Sequence, residues 1–149
     1  MKLAHFITPL AMSALIVSSP IAMARDTKHM LPLASAMQSA DFKTKLDPSI
    51  QLYFGNQKHG QVTKQLLEGV VTNKKTNAVG KTDEAACQWA LLSALISLQD
   101  RAKKEGGNAI VNIHSYYKKN EVNSPSEFEC HAGGIMAGVA LKGDIVKLK

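Results

Sequence analysis

The sequence predicts an α+β domain, a small and mostly antiparallel sheet packed on one long helix, with short N-terminal helices and one disulfide. Three observations carry that expectation. Residues 83–105 hold apolar side chains at helical spacing, with matching signals at both ends. Residues 108–117 and 128–141 show the alternation of strands. Two cysteines, Cys87 and Cys130, fall one in the helix and one in the last strand.

Residues 1–24 read as a cleavable secretory signal. Lys2 supplies a positive start, and the apolar stretch is richest from Leu10 to Val17. Ala22-Met23-Ala24 gives the small-x-small pattern of a cleavage site. The apolar core is too short for the roughly 20 residues of a membrane span. No Cys stands at the cleavage site for lipid attachment, and no later stretch can span a bilayer. The expected location is secreted or, in a Gram-negative cell, periplasmic.

Residues 25–149 then form one domain of 125 residues, a common size. Their formal net charge is +5, one less than the whole chain's +6 because Lys2 goes with the signal. The lysines are spread among acids with no block of like charge. They read as a solvated surface rather than as an attractor of anionic envelope polymers or lipid head groups.

The elements follow in order. Leu33, Ala36, Met37, Ala40, Phe42 and Leu46 follow Pro32 and predict one or two short helices, ended by Asp47-Pro48. Ile50 to Phe54 predicts a short strand stopped by Gly55-Asn56, and Val62 to Thr76 an extended segment. Thr82 or Asp83 caps the long helix, Asp83 and Glu84 suit the positive end of its dipole, and Gly106-Gly107 ends it. One helix face carries Cys87, Leu91, Ala94, Leu95, Leu98 and Ala102 and should meet the sheet. The opposite side carries Ala85, Trp89, Leu92 and Ile96. This second patch needs its own cover, either the N-terminal helices or a partner.

In residues 108–117, Ala109, Val111, Ile113 and Tyr117 alternate with Ile110, Asn112, His114 and Tyr116. A polar connection containing Pro125 leads to a second strand, Phe128 to Leu141. Its inward set is Phe128, Cys130 and Ala132, then Ile135, Ala137, Val139 and Leu141. A β-bulge at Gly133-Gly134 would account for that change of parity. From Cys87 to Glu105 the helix climbs about 27 Å, and the strand from Asn108 returns about 26 Å by Tyr116. Cys130 therefore arrives beside the start of the helix. A Cys87–Cys130 disulfide is expected in an oxidising compartment. No Cys-x-x-Cys is present to tune a redox thiolate.

The run Glu84-Ala85-Ala86, Ala90-Leu91, Leu95 and Arg101 to Val111, followed by Ala137-Gly138-Val139-Ala140-Leu141, resembles the YbjQ-type family, often labelled a heavy-metal-binding domain. A similar helix, strand and disulfide-tied hairpin occur in the Rcs envelope-stress sensor lipoprotein. This chain departs from that sensor in having no lipidated Cys and two cysteines rather than four. Asn73 to Asn77 and Ser115 to Glu121 are similar to exported bacterial proteins labelled "excinuclease ATPase subunit". The resemblance implies an α+β fold and leaves function open.

Three functions compete. Nucleotide binding would use Lys75 to Thr82, K-T-N-A-V-G-K-T, but Lys75 stands where a P-loop needs glycine. That segment reads better as a turn at Gly80 and a cap at Thr82. No zinc-knuckle pattern supports a nucleic-acid partner either. Metal binding, Zn²⁺ or Cu²⁺, would use His114, His131 and Glu129. A register that sets Ser115 opposite Cys130 also sets the two histidines opposite each other. The favoured expectation is a binding or interaction module without catalysis and without a cofactor. The sequence shows no Ser-His-Asp spacing, no H-E-x-x-H and no paired-carboxylate signature. The Trp89, Leu92 and Ile96 patch could meet an envelope protein or a second copy of the chain.

Overall fold

The computed structural model describes residues 25–149; the expected signal segment lies outside them. In chain order the elements are β1 (Thr27–Pro32), α1 (Leu33–Gln38), α2 (Ala40–Lys45), β2 (Gln51–Phe54), β3 (Val62–Asn77), α3 (Asp83–Glu105), β4 (Ala109–Ser115), β5 (Glu127–Ala132) and β6 (Met136–Leu148). A 3₁₀ turn, Tyr117–Lys119, follows β4. The architecture is α+β, with a six-stranded, mostly antiparallel sheet.

The long helix forms where its signals place it. Thr82 caps it by accepting from the Ala85 N–H. Gly106 ends it in the left-handed region at φ 77°, and Gly107 N–H donates to the Ala102 carbonyl. Leu91, Leu95, Leu98 and Ala102 are buried against the sheet. Each fully buried leucine stabilises by about 1.5–3 kcal/mol relative to exposure. Cys87 and Cys130 are bonded, tying the first turn of the helix to β5.

Strand β6 is the axis of the sheet. β3 pairs antiparallel with it from Val62 opposite Leu148 to Asn77 opposite Met136. A strand has two edges, so β4 and β5 must share the other. They lie end to end there, with Ser115 opposite Leu141 and His131 opposite Gly138. β2 runs parallel to β4, and β1 antiparallel to β5. Side chains alternate between faces. Phe128, Cys130, Ala132, Ala137, Val139, Leu141 and Ile145 turn to the helices. Ala109, Val111, Val146 and Leu148 form a small second cluster on the other face.

Three expectations need correction. Residues 109–115 and 127–132 do not pair as a hairpin, because β6 takes the hydrogen bonds of both. Gly133-Gly134 is not a bulge within one strand. It belongs to a tight turn from β5 into β6, closed by Gly133 N–H to the Met136 carbonyl at 2.8 Å, and Ile135 is exposed there rather than inward. The alternation along β4 also breaks at Asn112, which sits at φ 53°. Asparagine tolerates this left-handed conformation better than most residues. The pairing register shifts there, and Ile110 and Ile113 both reach the main core. β1, unanticipated from the sequence, adds the edge beside β5.

The second helix patch is largely covered from within. Leu92 is 2% exposed, and Ile96 packs against the core. Phe42 of α2 lines the same small cavity as Leu92 and Trp89. Trp89 stays 38% exposed, with Lys45 Nζ 4.7 Å from its ring centroid. What remains open of that patch is one aromatic ring under a lysine.

Candidate functional site

The helix-free face of the sheet carries the polar chemistry. His131, on the outward side of β5, has a carboxylate at each ring nitrogen. Asp26 Oδ1 is 2.9 Å from Nδ1, and Glu129 Oε1 is 2.8 Å from Nε2. Tyr117 stacks on the imidazole at 3.5 Å between centroids, with planes 10° apart, and its hydroxyl donates to Asp26. Lys28 Nζ on β1 lies 2.9 Å from Glu129 Oε2. This group joins the N-terminal residues, β1, β5 and the Tyr117 turn.

Its electrostatics are those of partnered carboxylates. The hydrogen bond from His131 holds the Asp26 carboxyl below the usual range, with Lys118 helping. Burial pushes Glu129 up, but the bonds from Lys28 and His131 outweigh it and hold the carboxyl below its ordinary value. Arg25 makes two 2.8 Å bonds to Asp83 at the start of α3, and a third to the Gly133 carbonyl. His29 reaches the same Asp83 at 2.9 Å. The Arg25 bond is the main cause of a depressed Asp83 carboxyl.

Beside this network lies an open cleft of about 540 Å³. It is lined by the turn Gly133 to Met136 with Ala137 and Gly138, and by Arg25, Asp26, Lys75, Tyr117 and His131. Clefts of this size that are largely apolar, with a few convergent polar groups, are the usual form of a ligand site. Ile135 is 70% exposed and Met136 45%.

The sequence-derived metal trio separates into two places. His131 and Glu129 bond to each other in the network above. His114 lies over β6 opposite Lys142, not opposite His131. Its Nδ1 is 2.7 Å from the Asn112 carbonyl, and its buried Nε2 has only Glu121 nearby, at 3.7 Å. Glu121 is committed to Lys142 at 2.7 Å, which is the main cause of its depressed carboxyl. Among the described residues, no group of three His, Cys, Asp or Glu side chains is arranged to hold a metal ion. The segment Lys75 to Thr82 is a strand end, a turn and a cap. Gly80 sits at φ 73°, and Lys81 Nζ bonds the Asn77 carbonyl.

Sequence reasoning missed Arg25, Asp26, Tyr117 and Met136 as site residues, and considered Lys75 only within a nucleotide-binding segment. One local signal was there to find. The glycine pair marks a turn or a bulge, and the residues that follow it, Ile135-Met136, are apolar.

Fold and site together define a two-layer α+β domain with an open cleft at the β5–β6 turn, lined by apolar and charged residues. No family model matches this chain, and no curated protein or solved structure matches it. Among the described residues, no helix is long and apolar enough to cross a membrane.

Proposed function

We propose that this protein is a binding module of the bacterial envelope, without catalysis, that takes its ligand in the cleft over the β5–β6 turn. The observation that carries the reading is the cleft itself, where apolar lining stands beside Arg25, Asp26 and His131, all already held by hydrogen bonds. A site whose polar groups are set before binding loses less freedom on binding. The state of His131 supports the absence of catalysis. Both ring nitrogens are engaged by carboxylates, so neither is free to act as a base on a substrate. The envelope setting rests on the reading of residues 1–24 as an export signal and accords with the disulfide.

The test is site-specific photocrosslinking in the producing cell. A crosslinking residue at Met136 should yield a defined adduct, and one at Gln61, beyond the far end of β3, should not. Equal labelling at both positions, or none at Met136, refutes the assignment of the cleft.

A further inference from the structure

Three of the exposed large apolar residues lie in two adjoining turns at one end of the molecule. Val79 is 58% exposed, in the turn between β3 and α3. Ile135 and Met136 are in the turn between β5 and β6. The two turns are joined directly, by a 2.7 Å hydrogen bond from Ala78 N–H to the Ile135 carbonyl and by the pairing of Asn77 with Met136. The three side chains lie far apart in the sequence, and only the fold makes them neighbours.

The charges around this end are unevenly satisfied. Asp83 is bonded by Arg25 and His29, and Asp26 by His131. Lys74, Lys75 and Lys81 flank the two turns, and among the described residues none of them has a carboxylate within 4.0 Å. The opposing acid is Glu84, exposed in the first turn of α3. The balance left over is cationic.

The chain also enters the folded body here. Arg25 donates to the Gly133 carbonyl in the β5–β6 turn, so residues 1–24 join the molecule at this end.

We propose that this end docks on an anionic lipid surface. The apolar turn residues enter the headgroup boundary, and Lys75 and Lys81 meet the lipid phosphates. This rests on the cleft reading, because Ile135, Met136 and Lys75 belong to the same site, and it names the partner. Apolar contact with flanking cations is the combination that gives reversible attachment to a membrane surface without a spanning helix.

The experiment is vesicle sedimentation with protein purified from its producing cell, its N terminus read by mass spectrometry. The vesicles are phosphatidylglycerol with phosphatidylethanolamine, against phosphatidylcholine alone. The expected result is binding to the anionic vesicles only, falling as salt is raised. The variant Ile135→Ser with Met136→Ser should bind about tenfold more weakly, and Lys75→Glu with Lys81→Glu should also lose binding. Both variants keep the wild-type N terminus, so their loss reports the turns and not residues 1–24. All four positions are at the surface, and unchanged thermal melting verifies the fold. No binding to anionic vesicles, equal binding to phosphatidylcholine, or a serine variant that binds as wild type overturns the proposal. The crosslink at Met136 separates this from the cleft reading. A protein adduct in place of a lipid one keeps the cleft and removes the membrane, and no adduct removes both.

Discussion

Reduction of the Cys87–Cys130 bond should cost this fold a large part of its stability. The bond closes a loop with a sequence separation of 43 residues. In the chain-entropy description, freeing a loop of that length returns about 4 kcal/mol of conformational freedom to the unfolded chain. Domains of this size commonly have only about 5–15 kcal/mol in total. Both cysteines are fully buried, so reductant should act on the native protein slowly and only through opening. The assay is urea unfolding of the oxidised and reduced proteins, followed by fluorescence of the single tryptophan, Trp89, which lies two residues from Cys87. Reduced wild type is a better reference than a double alanine variant, because two thiols fill nearly the volume of the disulfide. The midpoint should fall, and the dependence on urea should steepen as the unfolded chain expands. Agreement of the two forms within about 0.5 kcal/mol would refute the view that this bond constrains the unfolded chain.

The other expectations concern packing, buried polar groups and pH. A Cβ at Gly107 would lie 2.8 Å from Ile145 Cγ2 and 3.1 Å from the Val146 carbonyl oxygen. Gly107→Ala should therefore destabilise by about 1–3 kcal/mol, read from the urea midpoint. Buried Gln99 accepts from the Asp47 N–H and donates to the Asp47 and Ile50 carbonyls, each at 2.9 Å. Gln99→Leu leaves those backbone groups without their partner and should cost about 2–3 kcal/mol in a thermal melt. The Asp26, Asp47, Asp83, Glu121 and Glu129 carboxyls are all held below their ordinary values. A folded value below the unfolded one contributes stability that is complete above the unfolded carboxyl range and is lost as pH falls through the folded values. The urea midpoint should accordingly be level near neutrality and drop below about pH 4, and Asp83→Asn should flatten part of that slope.

What the sequence made legible is what depends on nearby residues. The long helix has its own period, cap and stop. The disulfide followed from two cysteines in a chain with an export signal, with helix rise and strand rise bringing them together. The sheet order was not legible, because β6 pairs with its neighbour β5 and also with β3 and β4 from far along the chain. A glycine pair amid alternating apolar residues fits a bulge and a hairpin turn equally well locally. Only the partner of β4 decides, and that partner is β6. His114 and His131 do not face each other because β4 and β5 lie end to end on β6 and do not pair with one another. β1 went unseen because its strand character comes from β5. The cleft needs Arg25, Lys75, Tyr117 and His131 from separate segments, and no spacing rule connects them. The lysines looked dispersed for the same reason, since the fold sets Lys75 and Lys81 beside the same apolar turns.

The end that carries the exposed apolar residues is also tied down at several points. The disulfide holds the first turn of α3 to β5. Arg25 bridges Asp83 on that helix to the Gly133 carbonyl in the β5–β6 turn. Ala78 N–H closes the β3–α3 turn onto Ile135, and Gly133 N–H closes the hairpin onto Met136. Exposed apolar side chains on a loose loop would have to surrender conformational freedom on meeting a partner. Here the backbone beneath them is already fixed by a covalent bond, a bidentate ion pair and two turn hydrogen bonds. Preorganisation of this kind strengthens binding without adding a contact. It also makes the disulfide and the surface interdependent. Reduction should loosen the anchoring of β5 to α3 and weaken attachment to anionic vesicles, even under conditions where most of the chain remains folded. If reduced but folded protein sediments with those vesicles as well as oxidised protein does, the surface does not depend on the bracing beneath it.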